Sequence, residues 1–362
     1  MTASLCVDPS CTGSSWWQPL CSEFLRVPAA FAATTPAASA PAATYTMTSL
    51  GNLGYPTTIG AAINAGGQIT GVGYEPVIVL QSPCPKHHTC TIAPERAFLW
   101  SAGKMTNLGT LSSTNTAYSQ GSAINDSAEV VGTTSTATGV QAFVDQNGVM
   151  TAIGPGSAFG VNNSGLVVGS TTSSSGNTVA FEYSNGKTTF LGLLPGEGGI
   201  FTVAEAVNSS GEITGSGDNA ASDERAWIYS NGKMTDIGTL GGPQASAEAI
   251  NSSRTVVGFA QTASDADHGF AYSAGKMTDL GLNVFPPGIN DSGTIVGETE
   301  GSTSSFAFVG VAGKLQNLNS LVPAGSGFTL TDAIAINRSG QVVVEGSNNT
   351  TGQESAFLLT PS

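Results

Sequence analysis

Glu205 and Glu248 stand at the same place in two near-identical segments, "AEAVNSSGEITG" (204–215) and "AEAINSSRTVVG" (247–258). Two carboxylates brought side by side repel, so one holds its proton to higher pH than the other. That is the acid/base pairing glycoside hydrolysis requires. The simpler reading is a pair of glutamates held by water or by Ser and Thr hydroxyls, and it is preferred. Five further acids, Asp218, Asp223, Glu224, Asp265 and Asp267, cluster nearby in the sequence. Oxygen-rich loops can hold Ca²⁺, but the spacing fits neither the EF-hand nor the glycine-rich Ca²⁺ repeat, so solvent-facing loops are the simpler expectation. The aromatics Trp100, Tyr183, Trp227, Tyr229 and Tyr272 could stack on sugars. Their recurrence at one position of a repeat points instead to packing.

What must position these residues is the repeat itself. "AINDSAEVVG" (123–132) returns as "AINAGGQITG" (62–71), "AVNSSGEITG" (206–215) and "AINSSRTVVG" (249–258), and more loosely at 160–169, 288–297 and 335–344. Seven copies give a period of roughly 45 residues, in the range of four-stranded propeller blades. Each unit reads as four short strands. The first ends in Ala/Gly-Ile/Val-Asn, and a polar turn follows. A β-branched strand such as Val256-Val257 comes next, then an aromatic one such as Phe98-Leu99-Trp100. Asn185-Gly186 and Asn231-Gly232 mark the hairpin into the fourth strand. Helical periodicity is absent.

The seventh unit lacks its fourth strand, whereas "YTMTSLGNLG" (45–54) is a fourth strand without a unit. Pairing Thr46–Leu50 beside Ala356–Leu359 would close the array and remove both sheet edges. The expected fold is therefore all-β: a closed seven-bladed β-propeller of four-stranded antiparallel blades over 45–362, the N-terminal strand completing the last blade. The residue two before each turn Asn is always Ala or Gly, as expected where innermost strands crowd around an axis.

Of 362 residues, 40% are apolar and 10% charged, with 47 Gly, so a core can form and a turn-dense β protein is favoured. A net charge of −14 argues against nucleic acid or an anionic lipid surface as partner. No apolar run is long enough to span a membrane as a helix. Residues 1–44 differ from the rest: "PAAFAATTPAASAPAAT" (28–44) is linker-like. "AFA" (30–32) resembles a secretory cleavage site, but Glu23 and Arg26 interrupt the preceding apolar part. An atypical export segment and an ordinary disordered tail both remain open. Cys84 and Cys90 in "CPKHHTC" (84–90) suit a disulfide in an oxidising compartment, with a metal site through Cys84, His87, His88 and Cys90 as the sharper alternative.

The runs "AFLW" (97–100), "GKMTDLG" (275–281), "GTLGG" (238–242), "SAEAIN" (246–251) and "VVG" (256–258) together resemble the HAF repeat of bacterial proteins expected to be extracellular. The resemblance covers 45–361 and implies an extracellular or periplasmic location, but no defined reaction. The His of the repeat's name survives only at His268. Arg96, Gln141, Val179, Arg225, Phe306 and Ser355 replace it elsewhere, so it is given no catalytic role.

Strand alternation places the long connections on one face, so binding is expected there. Candidate binding residues are Glu205, Asp218, Asp223, Glu248, Asp265, Asp267 and His268. No nucleophile elbow, HExxH, P-loop or dinucleotide fingerprint occurs in a fitting context. The first expectation is an exported, monomeric, non-enzymatic propeller binding a glycan or protein. A glycan hydrolase or lyase using Glu205 and Glu248, and a purely structural surface or matrix protein, are the alternatives.

Overall fold

The computed structural model describes residues 45–55, 57–80, 90–194, 199–301 and 305–362. Of two compact units, the second comprises the described residues of 45–78 and 92–362. The second holds seven four-stranded antiparallel sheets, so the fold is a seven-bladed β-propeller. Blade IV is representative, with strands Thr202–Val207, Ile213–Asp218, Glu224–Ser230 and Lys233–Asp236 in sequential order. Blades I to III precede it, with first strands Thr58–Ile63, Ser119–Ile124 and Ser157–Val161. Blades V to VII follow, with first strands Gly241–Ile250, Val284–Ile289 and Phe328–Ile336. Ile78–Leu80 and Cys90–Ile92 form an additional two-stranded sheet. Cys84, His87 and His88 lie outside the described residues, as do 1–44 with their export or tail segment.

Blade VII closes the ring as the chain ends require. Tyr45–Ser49 pairs antiparallel with Glu354–Pro361, in a register that runs from Tyr45 opposite Pro361 to Ser49 opposite Phe357. Apolar contact supports the closure: Ile69, Phe98 and Trp100 of blade I pack with Val343, Ala356 and Leu358 of blade VII. The core as a whole lies between blades. Val168 and Ala180 of blade III, for example, share a cluster with Ile213, Trp227 and Met234 of blade IV. Trp100 and Trp227 are buried, and Tyr183, Tyr229 and Tyr272 pack against interblade clusters, so the recurrent aromatic is a packing residue.

The first-to-second turns are alike because the same Asn organises each of them. In blade IV the Asn208 Oδ1 accepts the backbone N–H groups of Ser210 and Glu212, both at 3.0 Å. The Asn208 N–H and carbonyl meanwhile pair with the Glu212 carbonyl and the Gly211 N–H. Short polar side chains compete well for turn backbone in this way, which is why Asn recurs here. Its Nδ2 does something a local turn does not need: it donates to the backbone carbonyl of Asn251 in blade V at 3.1 Å. The same contact repeats from Asn64 to Asn125, to Asn162, to Asn208, to Asn251, to Asn290, to Asn337 and back to Asn64. All seven asparagines are buried. A closed belt of hydrogen bonds thus encircles the channel at its turn-face end.

Candidate functional site

Three residues before each belt Asn, the innermost strand carries a β-bulge, and this bulge decides what faces the axis. Pairing slips between Ala204 and Ala206 in blade IV and between Ala247 and Ala249 in blade V, so Glu205 and Glu248 are the inserted residues. Ala204 packs toward blade III, whereas Ala206 packs into the cluster shared with blade V. Ala247 and Ala249 divide in the same way between the IV/V and V/VI clusters. A bulge of this kind resets the two-residue alternation, and the extra side chain is turned to the open edge of the strand. That edge is the channel. The equivalent residues elsewhere are Ala61, Ser122, Phe159, Pro287 and Ile334, so only blades IV and V place a charge at this level.

The small residue beside the bulge is also explained. At Gly160 a Cβ would lie 3.2 Å from the Glu205 carbonyl oxygen and 3.3 Å from the Ala206 Cα, so neighbouring inner strands approach backbone to backbone.

Glu205 and Glu248 therefore come together, within the channel rather than among the long loops. Burial pushes the Glu205 carboxyl well above the usual range, and the charges of Glu248 and Glu224 push it further. Burial raises Glu248 too, and Glu224 adds to this, against the hydroxyl of Ser246, which donates to Glu248 Oε1 at 3.1 Å. Glu224 belongs to this group and not to the loop acids with which the sequence places it. Burial raises its carboxyl, opposed by the hydroxyls of Ser216 and Ser246. Three glutamates from two blades thus share one poorly hydrated pocket of the channel wall, where the Glu205 carboxyl is pushed up to about 8.

The other candidates do not join them. Asp218 is buried, and its Oδ1 accepts the N–H groups of Ile200 and Phe201 at 2.7 and 2.8 Å, which anchors a loop. Asp223 accepts from the Asn219 side chain within its own turn. Asp265 is an exposed turn residue at φ +58°, and Asp267 is an exposed strand residue. Among the described residues, no three His, Cys, Asp or Glu side chains form a group able to hold a metal ion. The Ca²⁺ reading therefore has no coordinating set here. His268 places its Nδ1 2.9 Å from Asp279 Oδ1. In blade IV the same pair of strand positions holds Arg225 and Asp236, with Nε 2.9 Å from Oδ2. His268 and Arg225 thus fill the same cross-strand position against an aspartate.

A second acidic group was not anticipated. Asp332 and Glu345 face each other across the first two strands of blade VII, and Glu298 of blade VI interacts with both. Burial first, then the neighbouring charges of Asp332, Glu354 and Glu298, pushes Glu345 up to about 8. Burial likewise carries Glu298 to about 7, with help from Asp332 and Glu300. Asp332 rises to about 6 through burial, against a backbone hydrogen bond from Ala333. Glu345 Oε1 and Asp332 Oδ1 are buried without a hydrogen-bond partner. A faint signal was present in the sequence: Glu298 and Glu345 both stand eight residues after a turn Asn.

Five lysines are elsewhere. Lys104, Lys187, Lys233, Lys276 and Lys314 all begin fourth strands, immediately after the hairpins of the turn face. Arg254 and Arg338 lie in first-to-second turns of that same face, where they meet Glu212 and Asp126.

No protein-family model matches, and no curated protein matches. Among solved structures, a chain of the mitotic checkpoint complex is similar with a TM-score of 0.51 at 11% identity, over 92% of this chain and 99% of that one. The propeller domain of the Trilobed protease from Pyrococcus furiosus gives 0.46 at 6% identity, over 87% and 95%. TolB from Acinetobacter baumannii gives 0.44 at 11%, over 74% of this chain and 60% of TolB, so this chain spans under two thirds of that protein. These likenesses are to the fold alone.

Proposed function

We propose that the protein is an exported, non-enzymatic propeller that binds a glycan or protein ligand on its long-loop face. The observation carrying this reading is the asymmetry between the faces. On one face, seven Asn-organised turns are tied into a single belt, so none of them can change length without breaking it. Among the described residues, the long irregular connections 109–118 and 318–327 lie on the other face. A rigid ring presenting variable loops is the usual arrangement of a binding scaffold. The resemblance to the HAF repeat and the Ala/Pro/Thr segment before residue 45 support export.

A second reading is favoured by one specific observation: Glu205 and Glu248 interact in a poorly hydrated part of the channel, and the Glu205 carboxyl is pushed up to about 8. That pairing can protonate a glycosidic oxygen and assist attack at the anomeric carbon. A sugar would have to enter the channel to reach it.

One experiment separates the readings. The full-length chain and the Glu205→Gln/Glu248→Gln double variant are screened on a glycan array, with product analysis of every bound glycan. Binding that leaves the glycan intact supports the binding propeller. Cleavage by the wild type, abolished in the double variant, replaces that reading with the hydrolase. No binding to any glycan leaves protein ligands, tested next by pull-down with the long-loop face substituted.

A further inference from the structure

The turn face carries a departure from the repeat that the long-loop reading does not use. Three residues after each belt Asn the backbone is left-handed, and glycine fills five of the seven positions: Gly67, Gly165, Gly211, Gly293 and Gly340. Blade II uses Ala128 at φ +59°. Blade V uses Arg254 at φ +61°. A long, branched-headed side chain in this conformation is strained, because its Cβ crowds the following carbonyl. Strain retained at an exposed position points to something the side chain does there.

Arg254 stands over a groove of about 370 Å³ between blades IV and V. The buried Ile228 and Ile237 contribute its apolar side, and the half-buried Tyr272 lies along it. Ser253 and Ser273 supply hydroxyls. The guanidinium is about half exposed and meets Glu212 only through Nε, at 3.4 Å. Glu212 is itself shared, since Oε1 also accepts from Ser230 and Oε2 from Asn208. Among the described residues neither Nη of Arg254 has a partner, so the outer fork of the guanidinium is free for a planar oxyanion. Lys276 follows directly on Gly275 of the groove wall.

We propose that this groove binds one carboxylate-bearing sugar, a hexuronate residue, free or within a polysaccharide. The two Nη groups take the carboxylate as a bidentate pair. The ring packs on Tyr272 and the isoleucines, and Ser253 and Ser273 reach its hydroxyls. This site is on the face opposite the proposed ligand loops, so either can fail without the other.

The test uses the residue the repeat itself prefers. Arg254→Gly removes the fork and relieves the strained backbone, so its melting temperature is expected to equal or exceed that of the wild type. Full-length protein is titrated with sodium glucuronate, glucose and inorganic phosphate, following the Arg254 Nε–Hε and Gly275 amide resonances. Saturable shifts with glucuronate, at least tenfold weaker with glucose and with phosphate, and lost in Arg254→Gly, are expected. Equal glucuronate affinity in the variant, or no saturation in the wild type, overturns the site. Equal affinity for phosphate overturns the sugar.

Discussion

The Asn337 carboxamide donates to the backbone carbonyl of Asn64 at 3.0 Å, a contact across 273 residues that joins the last belt turn of the chain to the first. The same side chain donates to Gln341 Oε1 at 2.8 Å and accepts the N–H groups of Ser339 and Gln341 at 3.1 and 3.0 Å. The ring is thus closed twice, by the N-terminal strand at the rim of blade VII and by this amide at the channel. Asn337→Ala leaves several buried polar groups without partners, so a loss of about 2–4 kcal/mol is expected from urea unfolding. Asn337→Asp keeps the acceptor and loses the donor, so it should recover part of that loss on acidification. A cost under about 1 kcal/mol for Asn337→Ala would mean the belt is ornamental.

A second prediction concerns the glycine that ends each "VVG", "ITG" or "IVG". A Cβ at Gly215 would lie 1.9 Å from the Val203 carbonyl oxygen, and Gly71, Gly132, Gly169, Gly258 and Gly297 are confined in the same way. Blade VII has Val344 at this place, fully buried in the core cluster it shares with blade VI. The first strand of this blade carries an additional slip in pairing between Leu330 and Asp332, which inserts Thr331. Gly215→Ala is therefore expected to cost about 3 kcal/mol or more, and Val344→Gly about 2–3 kcal/mol through an unfilled volume. Opposite demands at equivalent positions, measured by thermal unfolding of the two variants, would confirm the register difference.

The repeat made the blades, the turns, the closure and the Glu205/Glu248 pair legible, because each of these depends on local spacing or on comparing one unit with another. The belt was not legible: an Asn that caps its own turn looks the same whether or not its Nδ2 reaches the next blade. Glu224 was assigned to a loop because its position in the repeat differs from that of Glu205, and only the packing of blade IV on blade V unites them. Asp332 was hidden for a related reason, since an extra bulge in one blade leaves no mark in a sequence that varies freely there. His268 showed its nature only when Arg225 proved to fill the same slot against Asp236.

The acidic group of blades VI and VII should make stability fall as pH rises. Glu345, Glu298 and Asp332 bind protons more tightly in the fold than in the unfolded chain, by burial and by mutual repulsion with Glu300 and Glu354. Their contribution is complete below the ordinary carboxylate range, near pH 4–4.5, and is lost progressively up to about pH 8. Glu345→Gln removes the most strongly shifted member. Its melting temperature is expected to exceed that of the wild type by about 3 °C or more at pH 8.5, and to match it at pH 4.5. Parallel curves for the two proteins across that range would show that Glu345 ionises freely.

Glu205 and Glu248 allow a test that needs no ligand. Both carboxyls are raised chiefly by burial, and Glu205 also by the charges of Glu248 and Glu224, so neutralising Glu248 should relax Glu205. In Glu248→Gln the Glu205 carboxyl is expected to titrate lower than in the wild type, as followed by ¹³C NMR of the side-chain carboxyl groups. In Glu205→Gln the fold should be more stable than the wild type at pH 8.5, because one buried charge is gone. A channel evolved for acid/base chemistry would add one result: cleavage by the wild type falling by at least about a thousandfold in either single variant. Coupled titration without cleavage is the expected outcome. It would place the pair as a buried electrostatic feature of the wall between blades IV and V, whose like charges restrict what can enter the channel.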